Sequence, residues 1–328
     1  MQVHRRSFIA AATALGVSSA TSTLLAQSSY PDRPIRLIVP YPPGGGTDFF
    51  ARLVGGSMAQ SLGQPIIVEN RPGAATIIGA EAAARSAPDG YTFLLGDVAT
   101  YSANPSLYQK LPYDPQKDFI PISLTGRFAV VLLVNTNKLK VNSVGELVEA
   151  ARQSPGSIDY ASGGIGNPFH LASELFVQAA KIKLNHVPYR GAAPALQDLA
   201  AGHVAMMFVD FATARSQLMT PGIKALAVAS PTNFVGLPGV PTVAESGYPG
   251  FEAWAWQGFV APSATSPEVV AKLRNSYLTA IQVAEIRKKL TEAGIDILQS
   301  TSTEFADYMR SETEKWNAVI KAANIHAD

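Results

Sequence analysis

Apolar and polar positions alternate in blocks that change period along the chain. The run Ile35-Arg36-Leu37-Ile38-Val39-Pro40 is short and rich in branched residues, and it stops at Tyr41-Pro42-Pro43-Gly44-Gly45-Gly46. Over residues 47–62, Phe50, Leu53, Val54, Met58 and Leu62 recur at helical spacing, with Thr47 or Asp48 available as N-cap. The unit reads strand, glycine-rich turn, helix. Residues 66–69 form a second strand and 74–85 a helix, and Pro88-Asp89-Gly90 turns the chain into a third strand at 91–95. Such alternation predicts parallel strands joined by right-handed helical crossovers.

The pattern restarts after Phe128 with the apolar run 129–134. Ser143 and Glu146 have the spacing of a capping box for a helix reaching Arg152. A strand at 158–161 leads through Ser162-Gly163-Gly164-Ile165-Gly166-Asn167 into a helix at 168–182, with Pro168 in its first turn. A strand at 186–189, a helix at 193–201, a strand at 204–209, a helical segment at 212–219 and a strand at 223–228 follow. The chain therefore contains two similar α/β lobes. The Pro- and Gly-rich stretch 231–250 is too long for an ordinary connection. Beyond it lie a strand-like segment at 253–260, a helix opening at Ser266-Pro267-Glu268, and a helix over 303–323 that places Phe305, Tyr308, Met309, Trp316 and Ile320 on one face. This last material is assigned to the first lobe: residues 27–126 plus 252–328 form lobe 1 and 127–251 form lobe 2, with hinge-like connections near Gly126 and Phe251.

Composition narrows the function. Of 328 residues, 47% are hydrophobic and 16% charged, which rules out intrinsic disorder. The net charge of +1 excludes a strongly basic nucleic-acid binder, and with no cysteine there are no disulfides, thiol nucleophiles or thiolate metal sites. Residues 1–26 pair Arg5 and Arg6 with an apolar Ala- and Leu-rich centre and end in small residues, the layout of an export signal. His4-Arg5-Arg6-Ser7-Phe8-Ile9 resembles a twin-arginine signal, and the general and twin-arginine routes both remain open. Its removal leaves 24 basic and 25 acidic side chains, with no other stretch long and apolar enough to span a membrane. The expected location is the periplasm, where nucleotides are scarce.

Candidate chemistry concentrates at the two glycine-rich turns, each ending a strand and opening a helix. A helix start presents unpaired N–H groups and about half a positive charge, and glycine lets a ligand approach the backbone. Gly44, Gly45, Gly46 and Thr47 on one lobe, and Ser162, Gly163, Gly164, Gly166 and Asn167 on the other, are thus candidate anion seats facing one cleft. Asp48 either caps its own helix or takes a ligand hydrogen bond. Ala74, Ala75 and Thr76 follow Arg71-Pro72-Gly73 and are expected to line the cleft, whereas Arg71 is structural. His170 either touches ligand or fixes the second loop, and Trp254 and Trp256 alternate on a strand as core residues. Gly46 is not followed by the Lys-Ser/Thr of a phosphate loop, there is no His-Glu-x-x-His helix, and the five histidines are dispersed in sequence.

Val39-Pro40-Tyr41-Pro42-Pro43-Gly44-Gly45-Gly46-Thr47-Asp48, Asn70-Arg71-Pro72-Gly73-Ala74, Ala87-Pro88-Asp89-Gly90-Tyr91-Thr92, Ser162-Gly163-Gly164 through His170-Leu171, His186-Val187-Pro188-Tyr189-Arg190-Gly191, Met207-Phe208 with Asp210, and Gly239-Val240-Pro241-Thr242 together resemble the periplasmic solute receptors of tripartite tricarboxylate transporters, the Bug or TctC family. The resemblance runs over nearly all of the chain after the export signal. It implies a two-lobed, type-II-like periplasmic-binding-protein fold, each lobe a mostly parallel sheet flanked by helices, closing over a carboxylate and presenting it to a membrane permease. It also implies that Tyr41, Phe169 and Asp210 join the glycine loops around the ligand, that water bridges some contacts, and that no metal or organic cofactor takes part. Asn167 stands where such receptors usually carry Ser or Thr, and Phe169 where a small or polar residue is common. Phe169 either stacks on an aromatic acid or packs into the hinge. The expected protein is a monomeric, non-enzymatic receptor for a di- or tricarboxylic or aromatic acid; the alternatives are a periplasmic hydrolase on the same fold and a sensory adaptor for a membrane kinase.

Overall fold

A computed structural model describes residues 30–327, so the export signal expected at 1–26 lies outside the described residues. The chain opens with β1 (Ile35–Val39), α1 (Gly46–Leu62), β2 (Ile66–Asn70), α2 (Ile77–Ala84) and β3 (Thr92–Asp97), then a π-helical turn (Ala99–Ala103) running into α3 (Asn104–Leu107) and the long strand β4 (Phe119–Phe128). It continues through β5 (Val130–Asn135), α4 (Val144–Gln153), β6 (Asp159–Ser162), α5 (Pro168–Ala180), β7 (Asn185–Pro188), α6 (Ala192–Ala201), β8 (Met206–Asp210), α7 (Phe211–Ala214) and β9 (Ile223–Val228). β10 (Ala255–Pro262), α8 (Pro267–Ala280), α9 (Ala284–Glu292), β11 (Ile295–Ile297) and α10 (Ser302–Ala323) complete it.

These strands make two sheets, ordered β11-β4-β10-β3-β1-β2 and β7-β6-β8-β5-β9, each flanked by helices, which is the two-lobed α/β architecture of periplasmic binding proteins. Strand direction is more mixed than a mostly parallel sheet. In the first sheet only β1–β2 and β1–β3 are parallel, and in the second only β6–β7 and β6–β8. The cause is connectivity: β4 hands the chain to the second sheet and β10 brings it back, so β10 runs antiparallel to both β3 and β4. Helical crossovers enforce parallel pairing only among the strands they join.

Alternation along the strands sorts the core. Leu37, Val39, Phe93, Leu95 and Phe259 pack on one face of the first sheet with Phe50, Val54 and Tyr277 of α1 and α8. Ile38, Leu94, Trp256 and Val260 pack on the other with Tyr101, Phe305, Met309 and Trp316. Both faces are covered, so these strands read as continuous apolar runs. Trp256 is wholly buried, and both its indole N–H and that of Trp316 donate to Glu312 Oε2, at 2.7 and 2.8 Å, pinning α10 to β10. Trp254 is instead half-buried beneath the Arg127 guanidinium, 4.0 Å from its ring centre, just outside the strand.

Several ends differ from the sequence pattern. Helix 74–85 shortens to α2 because Ala74, Ala75 and Thr76 hold left-handed φ angles of 44°, 49° and 77°. The segment expected over 212–219 contracts to α7. Ser143 does cap α4, but the Glu146 carboxylate reaches the N–H of Asn142 rather than that of Ser143. The capping box proper is at Thr301 and Glu304, opening α10.

Candidate functional site

Four loops leave the carboxyl ends of β1, β6, β7 and β8 and enter helices, so the first turns of α1, α5, α6 and α7 gather where the two sheets face each other. Between them lies a narrow cavity. Tyr41, Gly45, Gly46, Thr47 and Asp97 line it from the first sheet's side, and Asn167, Phe169, Ala192, Asp210 and Thr213 from the second's, with Phe128, Ala255 and Trp256 in its wall. A wider outer cavity adjoins it and shares Tyr41, Pro42, Asn167 and Gly191. Ala74, Ala75, Thr76, Gly163 and Gly164 line only this outer space, so the glycines of the two loops do not share one chamber, although Asn167 at the end of the second loop joins Gly45 and Gly46 in the inner one.

The first loop is braced from behind. Asp48 accepts hydrogen bonds from Gly44 N–H (3.0 Å), Arg52 Nε (3.0 Å) and Asn70 Nδ2 (2.9 Å), and Asn70 also donates to the Tyr41 carbonyl (3.0 Å). Burial by itself would raise the Asp48 pKa, but these donors bring it below the usual carboxylate value. Asp48 and Gly44 line neither cavity, so Asp48 shapes the loop rather than the cavity wall. Neither Thr47 nor Asp48 caps α1: the N-cap is Gly45, which has no side chain to offer, so the first N–H groups of α1 stay open toward the cavity. Gly46 is where the two sides press together; a Cβ there would sit 2.7 Å from Asp210 Oδ1 and 2.8 Å from Phe128 Cε1.

The second loop is also held from behind, by rings. His170 and His186, far apart in sequence, stack with centres 4.0 Å apart, and Tyr160 stacks on His186 at 4.8 Å. His170 Nδ1 accepts the Gly166 N–H (3.1 Å), and Ser162 Oγ lies 2.6 Å from His186 Nε2. The Tyr160 hydroxyl closes the group on Glu174. Burial pushes both imidazoles down, His170 to about 3, helped by its neighbour, and His186 to about 4, so both are neutral at ordinary pH. A serine and an imidazole at this distance have the spacing of a nucleophile and its base. Here, however, the hydroxyl is fully buried, is shared with the Gly164 backbone, and lines neither cavity. Ser162 and His170 therefore fix the loop. Gly166 has φ +72°, and a Cβ there would meet Leu107 at 2.2 Å. Of this loop only Asn167, which caps α5 through the Phe169 N–H (3.0 Å), reaches the inner cavity, together with Pro168 and Phe169 at the start of α5. Phe169 is also part of the main core.

Sequence reasoning missed the start of α6. Gly191, Ala192, Ala193 and Pro194 line the inner cavity, and the N-cap Gly191 again leaves the first turn without a side-chain cap. The strand-turn-helix signal was present at residues 186–201, with one glycine rather than several. Asp97 was missed as well. It is buried, accepts from Tyr41 Oη (2.6 Å) and from Ala99 N, Thr100 N and Thr100 Oγ1, and burial lifts its pKa to about 6 against those stabilising donors. Asp210, also buried with a raised pKa, caps α7 through the Thr213 N–H (2.8 Å). The Thr213 hydroxyl lies close enough to help hold that pKa down, yet meets no partner at hydrogen-bonding geometry.

The chain matches known proteins along nearly its full length. Residues 50–325 match the model of the tripartite tricarboxylate transporter family receptor. A protein of the tcbD-tcbE intergenic region of Pseudomonas sp. is 35% identical over 98% of this chain and 95% of its own, and Protein BugT of Bordetella pertussis is 35% identical over 94% and 95%. Among solved structures, an R. palustris protein with adipate is 32% identical with a TM-score of 0.87, covering 90% of this chain and 99% of its own. MatC from Rhodopseudomonas palustris with bound malate is 32% identical with a TM-score of 0.83, covering 89% and 100%. Fold and sequence agree, and the chain belongs to the tripartite tricarboxylate transporter receptor family, the Bug or TctC receptors.

Proposed function

We propose that this protein is an exported, non-catalytic receptor that captures a small carboxylate in the inner cavity, closing residues 27–126 with 252–328 against 127–251, and passes it to a membrane permease. The observation that carries this reading is the convergence on one cavity of two helix starts, α1 and α6, whose N-caps are glycines and whose first N–H groups are left for a ligand. Adipate and malate in two related structures support a carboxylate as the solute. Among the described residues no helix is long and apolar enough to cross a membrane, which is consistent with a receptor that meets its permease from outside the bilayer. The inner wall supplies backbone dipoles, apolar surface and the side chains of Tyr41, Thr47, Asn167 and Asp210; Gly163, Gly164, Ala74, Ala75 and Thr76 line the entrance.

A thermal-shift panel of aliphatic, dicarboxylic and aromatic acids on protein unfolded and refolded to strip bound solute tests the reading. A ligand at 100 times its Kd adds about 2.7 kcal/mol, which moves the midpoint by several degrees. If no carboxylate shifts it, the receptor reading fails; turnover of a binder would make the protein an enzyme.

A further inference from the structure

The inner cavity carries more information than an anion seat. Its lining includes two carboxylates, Asp97 and Asp210, and neither lysine nor arginine; Arg190 lines only the outer space. Asp97 is occupied, with Tyr41 on one oxygen and three donors from residues 99 and 100 on the other. Asp210 is different. Its Oδ1 accepts the Thr213 N–H and faces the first turn of α1 at Gly46, while the Thr213 hydroxyl beside it is buried, lines the cavity and has no hydrogen-bond partner. A buried hydroxyl next to a carboxylate, with no cation near, is a place that asks for a hydrogen-bond donor and repels a second anion. The rest of the lining includes the apolar side chains of Phe128, Phe169, Trp256, Pro42 and Pro194 and the open turn of α6.

We infer that the solute is a monocarboxylate with an apolar, preferably aromatic, body whose far end donates a hydrogen bond, as a hydroxyl or amino group, to Asp210 and Thr213, and that dicarboxylates are rejected. This rests on the carboxylate-receptor reading and deepens it, and it separates the chain from the two relatives that hold adipate and malate. The carboxylate occupies the open start of α6, since the start of α1 abuts Asp210; the donor satisfies the Asp210–Thr213 pair; a second carboxylate in the donor's place meets Asp210 with no lysine or arginine in the lining to offset it.

Calorimetric titration at pH 7.5 with length-matched sets tests it: benzoate, 4-hydroxybenzoate, 4-aminobenzoate and terephthalate, then hexanoate, 6-hydroxyhexanoate and adipate. The expected order in at least one set is donor-bearing acid tightest, with the dicarboxylate at least tenfold weaker. Asp210→Asn keeps a side chain able to cap α7 and is expected to shrink the ratio between the two at least tenfold by weakening the first and admitting the second. Dicarboxylates binding tighter than the donor-bearing acids would overturn the inference and leave the receptor reading intact, as would an Asp210→Asn variant that weakens all ligands equally. Binding of none of the seven would overturn both.

Discussion

Gly46→Ala separates a contact made on closure from one made on folding. The added methyl carbon would lie 2.7 Å from Asp210 Oδ1 and 2.8 Å from Phe128 Cε1, short of ordinary van der Waals separation by about 0.7 Å or more. Neither neighbour yields easily. Asp210 is tied to the Thr213 N–H, and Phe128 is buried at the end of β4, paired with both Ala255 and Ile295. Overpacking by one methyl costs about 1–3 kcal/mol, or roughly 5- to 150-fold in an equilibrium constant. In an opened molecule Asp210 leaves with the second sheet, while Phe128, paired within the first sheet, still crowds the methyl and offsets the up to about 1 kcal/mol by which alanine stabilises a helix relative to glycine. Only the Asp210 contact is therefore specific to closure. Titration with whichever acid the panel identifies should show affinity reduced at least fivefold, while the ligand-free unfolding midpoint changes by no more than a few degrees. A midpoint lowered by several degrees with affinity intact would mean that the Gly46–Asp210 contact belongs to the permanent fold, refuting closure at this point.

Gly45→Val tests the anion seat itself: φ is −85° and no atom lies within 4 Å of the new Cβ, so the variant should fold normally and lose at least tenfold in affinity; unchanged titration curves would move the seat elsewhere. Asp97 sets a pH dependence. Its folded pKa of about 6 lies above the ordinary carboxylate value of 3.8, so the stability it allows is fully present below pH 3.8 and falls by about 3 kcal/mol as pH rises through 6. Asp97→Asn should therefore gain stability relative to wild type between pH 4 and pH 7 in urea denaturation, and a constant difference would contradict the raised pKa. The histidine pair acts the other way: its depressed folded pKa values make its contribution complete above pH 6.5 and lost as pH falls toward 4. Glu312→Leu strands the indole N–H groups of Trp256 and Trp316 at about 1–3 kcal/mol each, and should lower the unfolding midpoint far more than Glu312→Gln, whose amide oxygen still accepts; equal losses would show that charge, not acceptance, matters.

Much of this was legible because local chemistry and tertiary role coincide. The strand ending at Val39, the glycines after it and the helical spacing from Phe50 to Leu62 name an element, its exit and its partner face in one stretch. The π-helical turn and β11 are too short for a period, Pro121 argues against a central strand in β4, and α9 buries only Leu290, so its amphipathic stripe is faint. The site shows the same divide. Glycine content marks where backbone comes near something, without telling a ligand from another part of the protein. Gly45 opens on the cavity, but Gly46 is required by Asp210 and Phe128, and Gly166 by Leu107. Of the residues that lend the cavity its chemical character, Asp97 and Asp210 sit at strand ends on different sheets and Thr213 in the short helix after Asp210, and they converge only through β4, β10 and the pairing of β5 with β8. A motif search can find a receptor's anion seat because that seat is backbone, repeated at each strand-to-helix turn. What distinguishes one solute from another is carried by side chains that meet only across the cleft, where sequence separation hides them.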